Sequence, residues 1–102
     1  MVYQVVWTHK ALESYIGNIK YLEEVWTEKE VKTFVTTVQR KIEIISSHPF
    51  LGSHRNINKH NVRFTIINKN ISLIYLVKTR KKQIELLLFW NTTQHPRKLQ
   101  TK

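Results

Sequence analysis

Three β-rich runs crowd the second half of the chain: "VRFTII" (62–67), "ISLIYLV" (71–77) and "QIELLLFW" (83–90), separated only by "NKN" and "KTRKK". Connections this short cannot carry a crossover, so neighbouring runs must pair antiparallel, as a meander. In the last run the alternation puts Ile84, Leu86, Leu88 and Trp90 on one face and Glu85, Leu87 and Phe89 on the other. A strand apolar on nearly both faces belongs inside a sheet.

The first half reads differently. "VYQVVW" is a short strand, followed by Thr8 as the N-cap of a helix over 9–25, whose stripe is Leu12, Tyr15, Ile16, Ile19, Leu22 and Trp26. "WTEKEV" carries a capping box, Thr27 with Glu30 at N3, and Trp26 at N′ is placed to staple onto Val31. The second helix then shows Val31, Phe34, Val35, Val38, Ile42 and Ile45 at helical spacing, and Pro49 stops it. The segment 50–61, "FLGSHRNINKHN", reads as a polar, basic loop. The order β-α-α-β-β-β predicts an α+β domain over 1–102, with a helical hairpin on one face of a four-stranded, mainly antiparallel sheet.

The chain carries 17 Lys and Arg against seven acids, and its +10 charge is unevenly placed. Residues 1–43 hold six cations and six Glu, whereas residues 44–102 hold eleven cations and Glu85 alone. Such a field is suited to phosphate or to an acidic protein. There is no Cys, and five scattered His without ligand spacing give no metal site; no cofactor is expected. No apolar run is long enough for a membrane span, and the start has no secretory pattern, so a soluble cytoplasmic protein is expected.

The candidate binding cations are Arg55 and Lys59 in the loop, Lys69 in the first meander turn, Arg80, Lys81 and Lys82 in the second, and Lys98 in the tail. On "VRFTII", Val62, Phe64 and Ile66 are expected to face the helices, which would turn Arg63 to the open face of the sheet.

Several motifs occur in a definite order: "ALESYIGNIKYLEEVW", "TEKEVKTFVTTVQRKIEIISSHPFLG", "VRFTIINKNISLIYLV" and "IELLLFWNTTQHPRKL". Together they resemble the RelE/ParE superfamily of bacterial toxins from type II toxin–antitoxin modules, over nearly the whole chain. The resemblance implies the same fold and a cognate acidic antitoxin that wraps the toxin. It also implies one of two activities, a ParE-like poisoning of DNA gyrase or a RelE-like cleavage of mRNA in the ribosome. For the nuclease, Arg63 matches the phosphate-stabilising Arg of the family, His95 would serve as acid or base, and Arg97 would be a further cation in the tail. The family's tail Tyr is absent, and Thr93 stands where Arg is common, which favours the ParE-like branch. A basic nucleic-acid-binding module without toxicity is a third reading.

Overall fold

The computed structural model describes residues 2–25, 27–57 and 60–92. The elements run β1 (Gln4–Trp7), α1 (His9–Val25), α2 (Glu28–Ser47), β2 (Ser53–Ile57), β3 (His60–Ile66), β4 (Ile71–Lys78) and β5 (Gln83–Asn91). The sheet order is β1-β5-β4-β3-β2, with β1 parallel to β5 and the other pairs antiparallel. The α+β architecture is as expected, but the sheet has five strands, not four. The fifth, β2, lies within the segment read as loop, where "SHRNI" gives no apolar alternation and only its backbone pairing makes it a strand.

Both helices pack on one side of the sheet. Phe34, Val38 and Ile45 of α2 and Ala11 and Leu22 of α1 meet Leu73, Tyr75, Val77, Ile84, Leu86 and Phe89 in a single core. The capping box closes as the sequence predicts: Glu30 N donates to Thr27 Oγ1 at 3.3 Å, and Thr27 N donates to Glu30 Oε1 at 3.0 Å. Trp26, and with it the staple, lies outside the described residues.

The stripe of α1 is borne out at Tyr15, Ile19 and Leu22, which pack in or against the core, but its buried face is shifted at the remaining described positions. Ala11, Asn18 and Leu22 are buried, whereas Leu12 and Ile16 are 45% and 44% exposed. The cause is hydrogen bonding along β5. The β1 strand pairs with β5 only as far as Leu86, so the edge of β5 beyond that point needs other partners. Residues of α1 and its N-cap supply them. Thr8 Oγ1 donates to Leu86 O at 2.6 Å and accepts from Ala11 N at 3.1 Å. Phe89 N donates to Ser14 Oγ at 2.9 Å, and Asn18 Nδ2 donates to Phe89 O at 3.1 Å. Asn91 Nδ2 completes the buried network by donating to Asn18 Oδ1 at 2.9 Å.

A bulge also changes the last strand. Tyr75 is opposite Leu86 but Ile74 is opposite Leu88, so Leu87 is an extra residue. The alternation inverts there. Phe89 and Asn91 join Ile84 and Leu86 on the helix side, and Leu88 and Trp90 move to the other face, which corrects the single row Ile84, Leu86, Leu88 and Trp90.

Gly17 lies on the exposed side of α1, and a Cβ built there meets nothing within 4 Å. Gly17→Ala is therefore expected to stabilise the protein by about 0.5–1 kcal/mol, seen as a higher urea midpoint with unchanged slope.

Candidate functional site

Sequence motifs from 49 to 75 meet in one corner beyond the end of α2. The helix closes with His48 N donating to Ile44 O at 2.8 Å, and Pro49 prevents its continuation. The turn that follows is held from the sheet. The Tyr75 hydroxyl donates to Pro49 O at 2.9 Å and accepts from Gly52 N at 3.0 Å. Arg63 Nη1 donates to Phe50 O at 2.9 Å and Gly52 O at 2.8 Å, and its Nε donates to Asn61 Oδ1 at 3.2 Å. The guanidinium also lies 5.0 Å from the Phe50 ring centre, a cation–π contact.

Arg63 and Tyr75 are opposite each other across β3 and β4, which is why two side chains can clamp one turn. That pairing fixes the face as well. Arg63 and Thr65 lie on the side of Tyr75 and Leu73, which is the helix side, while Val62, Phe64 and Ile66 are opposite Leu76, Ile74 and Ser72 on the other. The expected orientation of Arg63 is thus reversed. Its donors serve neutral carbonyls and an amide, so its positive charge is fixed at the corner, and among the described residues no carboxylate forms an ion pair with it.

Burial pushes the Tyr75 phenol above the usual tyrosine range, against the opposing effects of the Gly52 N–H and the nearby Arg63 charge. The hydroxyl is therefore neutral at physiological pH and remains a donor to Pro49 O. A phenol with that history is not a general base near neutrality.

The second feature is the face of the sheet that lacks helices. Across it run Ile66, Ser72 and Trp90, then Phe64, Ile74 and Leu88, then Val62, Leu76, Glu85 and Val6. Among the described residues no helix lies over this mostly apolar face, and Ile66 is 59% exposed. Its one carboxylate is neutralised, because Lys78 Nζ lies 2.8 Å from Glu85 Oε2.

The predicted cations do not gather at one point. Lys69 is exposed in the β3–β4 turn, and Arg80, Lys81 and Lys82 are exposed in the β4–β5 turn, at opposite ends of the eight-residue β4, about 25 Å apart. Arg55 is in β2, opposite Val62 in the register. Lys59, His95, Arg97 and Lys98 lie outside the described residues. Among the described residues, no three His, Cys, Asp or Glu side chains come together to hold a metal ion, and no helix is long and apolar enough to cross a membrane. The sequence reading does not single out Phe50 and Leu51; the signal available was their position between a helix-stopping Pro49 and Gly52. No family of known proteins matches the chain, and no curated protein does.

A Cβ at Gly52 would sit 2.5 Å from the Tyr75 hydroxyl and 2.8 Å from Phe64 O. Neither a buried ring nor a strand carbonyl yields readily, so Gly52→Ala is expected to cost about 2–3 kcal/mol, read from chemical unfolding. Tyr75→Phe leaves Pro49 O and Gly52 N without their side-chain partner and is expected to cost about 1–3 kcal/mol. The pH dependence has a definite sign. With the folded pKa raised, the Tyr75 contribution is fully present below the unfolded phenol's value of about 10 and is lost as pH rises through the higher folded value. The stability gap between wild type and Tyr75→Phe should accordingly narrow in unfolding curves measured at increasing pH above that point.

Proposed function

We propose that the chain is the toxin of a RelE/ParE-type toxin–antitoxin pair, a ParE-like growth inhibitor that acts on DNA gyrase and is neutralised by an acidic antitoxin. The observation that carries this reading is the convergence of the ordered motif. Pro49, Gly52, Arg63 and Tyr75 are dispersed over 27 positions of sequence, yet they form one hydrogen-bonded corner. Motif residues that meet in this way act as one unit, which supports a shared architecture over a coincidence of composition.

The target assignment rests on the use to which Arg63 is put. A nuclease of the RelE type needs a cation free to follow charge onto the phosphate in the transition state. Arg63 instead holds the turn, and Lys69 lies on one meander turn while Arg80, Lys81 and Lys82 lie on the other, at opposite ends of β4. These facts favour poisoning through binding over cleavage. The apolar face that no described helix covers and the concentration of positive charge after residue 43 support a protein partner with apolar and acidic character.

Induced expression without an antitoxin should arrest growth of the bacterial host, with covalent gyrase–DNA complexes accumulating. Continued growth with confirmed folded protein would sink the toxin reading. Arrest accompanied by translation-dependent mRNA ends, and no trapped gyrase, would replace the ParE-like target with the ribosomal one.

A further inference from the structure

The turn between β4 and β5 carries three exposed cations in succession, Arg80, Lys81 and Lys82. The nearest acid in sequence does not neutralise them, because Glu85 is held by Lys78 at 2.8 Å. Among the described residues neither Arg80 nor Lys81 is in an ion pair. The backbone of the turn is fixed. Lys82 N donates to Thr79 O at 3.3 Å, which closes the turn, and Lys82 O accepts from Gln4 N at 2.9 Å, which ties it to β1. The conformation held in this way is left-handed at Lys82, with φ of 53°, and among the described residues no other non-glycine has a positive φ. Gly or Asn takes that conformation readily, whereas a lysine there costs stability. The hairpin thus carries a cation at a position where its own folding favours glycine.

From the exposed run and the left-handed lysine within it we infer that the β4–β5 tip binds the sugar–phosphate backbone of a nucleic-acid duplex through Arg80, Lys81 and Lys82. A duplex carries one phosphate charge per about 1.7 Å of its axis, and Arg and Lys bind it by displacing its counterions. The composition of the tip selects this ligand over two others. Residues 78–83, "KTRKKQ", include no apolar side chain, so the tip offers nothing from which the centre of a protein interface could be built. They also include no aromatic ring on which the bases of a single strand could stack. Phosphate requires neither. A contact confined to the backbone does not read base sequence, so binding is indifferent to it. The inference goes beyond the toxin reading and does not depend on it.

The test uses the full chain and a short fluorescent duplex of mixed sequence, prepared once as DNA and once as RNA and titrated at several salt concentrations. Saturable binding is expected, with affinity falling steeply as salt rises. The triple variant Arg80→Gln, Lys81→Gln, Lys82→Gly should bind roughly tenfold more weakly and lose roughly 3 from the logarithmic salt slope, about one for each phosphate contact. A control that removes the same charge from exposed helix positions, Lys20→Gln, Lys29→Gln, Lys32→Gln, should keep the wild-type slope. Lys82→Gly alone should weaken binding while raising the urea midpoint, which also shows that the variant is folded. Whichever duplex binds more tightly names the nucleic acid, provided that the triple variant loses it. No binding of either duplex, wild-type affinity in the triple variant or in Lys82→Gly, or an equal loss in the helix control would each overturn the inference. Displacement of the duplex by polyglutamate at equal concentration of charge would overturn it in favour of an acidic protein. Growth arrest on expression is read separately, so failure of duplex binding and failure of the toxin reading are told apart.

Discussion

The edge of β5 beyond Leu86 determines how the rest of the molecule is assembled. The first strand is four residues long and β5 is nine, so part of a central strand is left without a neighbouring strand on one side. A buried peptide group without a partner costs on the order of 1–3 kcal/mol, and α1 supplies the missing partners through Ser14 and Asn18. This requirement orients the helix. Once Ser14 and Asn18 are aimed at Phe89, Ala11 and Leu22 follow them into the core, and Leu12 and Ile16 are turned outwards. Hydrophobic burial keeps the helix on the sheet, but hydrogen bonding decides which of its faces is buried.

At the other end of the helical layer, the same division of labour appears with the partners exchanged. There the irregular segment is the turn after α2, and the sheet provides the side chains that satisfy it. Tyr75 can do so because it is buried in the core with its hydroxyl reaching the turn, and Arg63 because strand pairing places it beside Tyr75. The result is a rigid exit from α2 that carries exposed apolar residues and a fixed positive charge into the start of β2. The basic second part of the chain is therefore not an undifferentiated surface: Arg63 is a structural part of the fold, while Lys69, Arg80, Lys81 and Lys82 are exposed on the hairpin turns.

The helices, the capping box and the meander were legible in the sequence because each depends on local spacing or on short connections. The strand Ser53–Ile57 was not, since an edge strand with polar side chains is defined by its neighbour's backbone and leaves no periodic trace. The orientation of Arg63 was hidden for a related reason. "VRFTII" offers an apolar residue on either face, and the choice is made by Tyr75 across the ladder, not by the strand itself. Of the candidate site, the turn cations could be read as exposed from their positions alone. The role of Arg63 in the turn was invisible, because its principal acceptors are the carbonyls of Phe50 and Gly52, and any residue has a carbonyl.

The extra residue at Leu87 has a consequence for how this chain can vary. Along a regular strand the side chains keep a strict two-residue parity, and no substitution can alter it. A change in residue count does, so the bulge works as a parity switch between the two halves of β5. Upstream of it, even-numbered positions serve the helices; downstream, odd-numbered ones do. The two halves of one strand are thereby free to change composition by different rules, and Trp90 can be large without any demand on the volume of the helix-covered core.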